Sequence, residues 1–231
     1  MQTMYDTLST PLYKTASEIN TAMAGVYKWM CLAILISMGV AFGVGTNPTL
    51  VNFFFTGMLK WVIVFAPLVA VIGVSMVLNS DPPKEIAQLL LLGFAALMGL
   101  SFATIFVIYQ LGSIFTAFMG AAVLFGTMSF YGYFTKSSLD SIGKFMFVGL
   151  IAIIIASIIN IFIGSSVFAM VISALAIIIF LGLTAYDTQK IREMIMQDNS
   201  PSIEIQGALT LYLDFINIFL SLLQLFGSKK E

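Results

Sequence analysis

Two aspartates set the chemistry this chain could perform. Of its eleven acidic residues most lie in loops or tails, and only Asp187 and Asp214 fall in or against long apolar runs. Asp187 ends one run, in GLTAYDTQK. Asp214 lies inside QGALTLYLDFINIFLSLLQLFG, residues 206–227, about 12 Å from its start at the usual helical rise. An acid within a span is by default a functional group, because lipid offers it no hydration. Should the two meet in a poorly hydrated site, they cannot both ionise cheaply: desolvation and mutual repulsion both oppose the second charge. They would then share one proton and titrate as a unit. Protonated, the pair holds its two helices together; deprotonated, it repels itself and attracts a cation. The chain has no histidine, so any pH sensing near neutrality falls to a carboxylate.

Plainer roles compete. Asp187 could cap a helix end or pair with Lys190, three residues on, an interaction worth little at a surface. Asp214 could be a buried acid satisfied by Asn217 or a hydroxyl. Around it, Gly207, Thr210, Asp214, Asn217, Ser221 and Gln224 recur at spacings of 3, 4, 3, 4 and 3. At roughly 100° per residue they form one polar stripe along a helix. A helix facing lipid all round would not keep such a stripe, so this one is expected to stand inside a bundle.

The elements that must position these residues are membrane spans. The chain has 231 residues, 60% hydrophobic and 9% charged, with a mean hydropathy of +1.04. Soluble domains carry about 25% charged residues, so the composition marks an integral membrane protein. A net charge of −1 gives no reason to expect nucleic acid, and the single cysteine, Cys31, excludes an internal disulfide. A span needs about 20 mostly apolar residues, and seven windows qualify: roughly 27–46, 60–79, 87–109, 112–134, 144–164, 167–187 and 206–227. The fold class expected is all-α, seven transmembrane helices with the last, polar-striped helix central. Residues 1–26 read as a polar tail without signal-peptide features, 27–227 as the transmembrane domain, and 228–231 as a C-terminal tail.

Lys14, Lys28, Lys84, Lys136, Lys144, Lys190 and Arg192 fall on one side of these spans, against Lys60, Lys229 and Lys230 on the other. That bias predicts a cytoplasmic N-terminus and, with an odd number of spans, an external C-terminus. The GxxxG pair Gly39 and Gly43, and the row Gly93, Ala96, Gly99 and Ala103, are expected at close helix contacts. Pro67 predicts a kink in the second span. Ser157 and Asn160 of the fifth span are expected as interhelical hydrogen-bond partners. Asp187 sits nominally at the interface while Asp214 is deeper, so the two meet only if the sixth helix continues past Asp187 or the seventh begins near Ile203.

GLTAYDTQKI at 182–191, GALTLYLDFINIFLSLLQLFG at 207–227 and MSFYGYFTKSSL at 128–139 resemble the Bax inhibitor-1 family, in particular its bacterial inner-membrane branch. The resemblance implies seven helices with the last surrounded by the other six. It also implies a pH-sensitive calcium leak whose proton sensor is an aspartate pair, here Asp187 and Asp214, which would also coordinate calcium in transit. Tyr186, Thr210, Asn217, Ser221 and Asn160 are the neighbours expected along the pathway. Some members latch the pair with a charge in the second helix; here that span has no charge after Lys60. Two carboxylates are too few for a tight calcium site, which takes six to eight oxygens, so calcium is expected as transported ion rather than cofactor. The resemblance further implies a regulatory role toward a membrane-anchored ATP-dependent protease, through the tail 1–26 and the inner loops. An intramembrane aspartyl protease is the enzyme alternative, but Leu-Tyr-Leu-Asp at 211–214 lacks the glycines that keep the backbone slim beside a substrate, and no Pro-Ala-Leu follows. No enzyme activity is expected.

Overall fold

The computed structural model describes residues 14–198, 200 and 202–230; the first half of the segment expected as a tail lies outside them. Among the described residues there are eight helices: α1 (Ala16–Gly45), α2 (Pro48–Phe55), α3 (Leu59–Leu78), α4 (Lys84–Ile108), α5 (Leu111–Phe134), α6 (Asp140–Ile163), α7 (Ser166–Gln197) and α8 (Ile203–Phe226). All but α2 are long and apolar enough to cross a membrane, which gives the seven spans expected.

Local chemistry explains the boundaries. α1 starts eleven residues before its apolar window because Thr15 and Glu18 form a reciprocal capping box, and Ile19, Met23 and Val26 then bury one face of the added turns. The short α2 is capped by Asn47, whose side chain accepts from the backbone N–H groups of Thr49 and Leu50, with Pro48 at the first helical position. α3 runs on through Pro67 and ends before Asp81, which takes a positive φ of 51° ahead of the paired prolines. α6 ends on Gly164 in the left-handed region, φ 69°, and Ser165 caps α7 at once.

The bundle is organised around α8. It packs on α7, α5 and α1, and more lightly on α4 and α3. Its face is almost continuously buried, with Ile205, Ala208, Leu211, Tyr212 and Ile218 fully enclosed. The expectation of six surrounding helices needs one correction: α6 packs chiefly on α7 and stands outside the ring.

The close contacts also differ from those expected. Gly39 and Gly43 are exposed, and among the described residues nothing lies within 4 Å of where a Cβ would stand. α1 instead crosses α4 where Gly99 faces the backbone of Ser37, and Ala95, Gly99 and Ala103 are the buried small residues, whereas Gly93 is exposed. Ser37 Oγ binds the carbonyl of Ala95 at 2.8 Å and the hydroxyl of Tyr212 at 2.7 Å, tying α1, α4 and α8 together. A side chain at Gly132 of α5 would collide with the backbone of Ala185 in α7. A GxxxG on its own does not say which helix face finds a partner; the polar anchor at Ser37 picks the other face. Ser157 likewise binds its own helix, at the carbonyl of Ile153, and not a neighbour.

At one end of the bundle Lys229 forms an antiparallel bridge with Tyr109, and Lys230 Nζ donates to the carbonyl of Phe106 at 2.7 Å. The opposite, lysine-rich end gathers the α3–α4 and α7–α8 connections. Residues 14 and 230 therefore lie at opposite ends, as an odd number of spans requires.

Candidate functional site

The α7–α8 hairpin brings the two aspartates to one depth. Asp187 lies ten residues before the end of α7 and Asp214 eleven residues after the start of α8. At the helical rise these are about 15 and 16 Å from the turn. Both conditions set by the sequence are met: α7 continues for almost three turns past Asp187, and α8 begins at Ile203. The continuation, TQKIREMIMQ, is polar by composition but amphipathic by spacing, with Ile191 and Ile195 buried. Gly207 of α8 packs against Ile191 and Val26, where a Cβ would clash, and this sets the two helices close.

Asp187 and Asp214 are neighbouring acids on one cavity. Asp214 is 4% exposed, and its Oδ2 receives no hydrogen bond from any hydroxyl, amide or backbone N–H among the described residues. The competing roles find no support in the contacts. Lys190 pairs with Glu193 at 3.5 Å rather than with Asp187. Asn217 Nδ2 donates to the carbonyl of Leu213 in its own helix, and Thr210 Oγ1 to that of Gln206. Each acid therefore has the other as its polar neighbour.

Asp187, Asp214, Tyr186, Thr210 and Asn217 line one cavity of about 840 Å³, bounded by α3, α6, α7 and α8. Two expected members are elsewhere. Ser221 is buried two turns further along α8, away from this lining, and Asn160 sits near the far end of α6 with a buried Oδ1 that lacks a partner. Ser221 shares the stripe of Asp214, but the cavity ends before reaching it. Lys144 was not singled out from the sequence, yet it lines the same cavity. Gly143 packs so closely on the Tyr186 ring that a Cβ would overlap it, and this holds the first turns of α6 against α7 next to Asp187. A glycine beside a lysine in the first turn of a span was the available signal.

Between this cavity and the lysine-rich end lies a neutral and ionic cap. Gln206 Nε2 donates to the carbonyl of Leu78, the last residue of α3, at 2.7 Å. Lys84 and Glu204 form an ion pair at 3.0 Å, and Asp81 accepts from Ser202 at 3.1 Å and also from Ser200. The wall contributed by α3 is apolar, with Leu68 and Val71. The second span thus meets α8 through a backbone carbonyl in place of a charged side chain. Among the described residues there is no cluster of three or more histidine, cysteine or acidic side chains placed to hold a metal. A cation beside Asp187 and Asp214 would need oxygens from Asn217, Thr210, the backbone and water as well.

The sequence model of the family described as inhibitor of apoptosis-promoting Bax1 matches residues 19–231. The inner membrane protein YbhL of Escherichia coli is 36% identical over 229 residues, covering 96% of this chain and 97% of its own length. A Deinococcus radiodurans protein is 35% identical over 220 residues, with 94% of each chain covered. Protein RP147 of Rickettsia prowazekii is 37% identical over 228 residues, again with 94% of each covered. A family match over nearly the whole length, relatives of the same extent and seven membrane-length helices agree: this chain is a multi-pass membrane protein that belongs to the Bax inhibitor-1 family.

Proposed function

We propose that the protein is a pH-sensitive cation leak of the inner membrane, with calcium as the transported ion and the Asp187–Asp214 pair as its gate. The observation that carries this reading is the enclosed carboxyl of Asp214, whose Oδ2 has no donor among the described residues, beside the half-buried carboxyl of Asp187 in one cavity. Two carboxyls in that position are held together by one proton and driven apart without it. With the proton in place, α7 and α8 stay clamped and the cap at Gln206 and Glu204 stays shut. As pH rises the pair loses the proton, the clamp becomes a repulsion, and a cation replaces the proton. Asn217 and Thr210 supply weak extra oxygens, which suits passage better than storage. The lysine-rich end, cap included, faces the cytoplasm in this reading.

The test is calcium flux into liposomes holding the purified protein, from pH 5 to 8. Wild-type flux is expected to rise with pH. Asp214→Asn keeps a permanent donor between the side chains, so its flux should stay low and flat, about tenfold below wild type at the upper end. Asp187→Asn should behave alike. An unaltered pH response in both variants would overturn the reading.

A further inference from the structure

The cavity beside the acid pair opens sideways. α6 is held mainly by α7, and α3 mainly by α4, so among the described residues no helix fills the gap between α3 and α6. The side chains along that gap are apolar and turned outward: Leu68 is 62% exposed, Phe147 58%, Val148 65% and Ile154 50%. In a membrane those surfaces meet acyl chains. The same cavity is lined by Asp187, by the enclosed Asp214, whose Oδ2 has no donor among the described residues, and by Lys144. An apolar slot open to lipid, ending in two acids beside one ammonium, is complementary to a molecule with an acyl tail, an ammonium and a phosphate.

We infer that this slot binds a phospholipid with a primary-ammonium headgroup, phosphatidylethanolamine chemistry, entering from the bilayer between α3 and α6. Its ammonium sits on the Asp187–Asp214 pair, its phosphate meets Lys144, and one acyl chain lies along Leu68, Val148 and Ile154. A half-neutralised acid pair retains one negative charge, which the ammonium matches, and a primary amine donates hydrogen bonds to the half-buried carboxyl of Asp187, the member of the pair more open to the cavity. Lysine binds a phosphate as a point charge, and in low-dielectric surroundings both contacts gain strength. A quaternary choline head cannot donate those hydrogen bonds, and a glycerol head brings no cation. Headgroup choice therefore follows from the floor of the cavity, and general lipid affinity from its walls. The inference uses the same two acids as the proposed gate but does not require that they pass an ion.

The experiment is made in calcium-free buffer, so its outcome is independent of flux. The full chain is reconstituted in bilayers of equal parts ethanolamine, choline and glycerol phospholipids, extracted gently, and the retained lipid identified by mass spectrometry. Ethanolamine lipid should be enriched about fivefold over either of the others. The double variant Asp187→Asn, Asp214→Asn should bring that ratio close to one, and Lys144→Gln should lower it by about half. Val148→Trp, at a lipid-exposed position where folding is not at risk, should fill the slot and reduce retention of all three lipids. Retention without headgroup preference, a preference that survives loss of both acids, or retention indifferent to Val148→Trp would each overturn the inference.

Discussion

α6 and α8 are both 24-residue spans, yet they occupy opposite extremes of the bundle. In their most apolar windows 6% of α6 is buried against protein, compared with 61% of α8. The ordering is the reverse of a soluble core. α6 is nearly featureless, and lipid is as good a partner for its isoleucines as another helix would be. α8 carries Asp214, which lipid would leave unsatisfied, so the other helices gather round it. Polarity, not hydrophobicity, decides which helix goes to the centre.

That contrast can be broken most severely by truncating one side chain in each helix. Leu211→Ala in α8, fully enclosed, should cost roughly 2–5 kcal/mol and lower the melting temperature in detergent clearly. Ile158→Ala in α6, 51% exposed, should shift stability by no more than about 0.5 kcal/mol, since lipid or detergent replaces the lost contact. Equal losses in the two variants would mean that α6 is packed by something beyond α7, such as a second copy.

A smaller effect tests whether polar groups anchor α8. Tyr212→Phe removes a hydroxyl bonded to Ser37 Oγ at 2.7 Å. The expected cost is about 1 kcal/mol, kept modest because Ser37 retains the carbonyls of Ala33 and Ala95. A double-mutant cycle with Ser37→Ala should give a coupling of similar size; zero coupling would remove Tyr212 as an anchor. The smallest change concerns the cap. Lys84 and Glu204 have side chains 41% and 23% exposed, so Lys84→Ala should cost less than about 1 kcal/mol and matter less as salt is raised. A loss several times larger would place that ion pair among the main supports of the closed end.

The membrane class, the seven spans and the centrality of α8 were legible from composition and from one polar stripe, because each follows from solvation of individual side chains. The aspartates stood out for the same reason. Helix ends were less legible. Hydropathy stopped the sixth span at Asp187, while amphipathic burial of Ile191 and Ile195 carries α7 on to Gln197. That extension, with α8 starting at Ile203, brings the acids to one depth. The pairing of faces was not legible: Gly39 and Gly43 look like a packing motif but have nothing within 4 Å of a Cβ among the described residues, while Ser37 and Gly99 make the crossing.

Sequence by itself determined which side chains lipid cannot accept, and therefore that this chain must hide Asp214 among helices. Only the tertiary structure decided that Asp187 is what Asp214 meets, that Lys144 lines the same cavity, and that α6 leaves the cavity open at the side. The first kind of fact belongs to single residues and their solvent. The second depends on where antiparallel helices are placed in register, which is set jointly by caps, turn length and close-packing glycines spread along the chain.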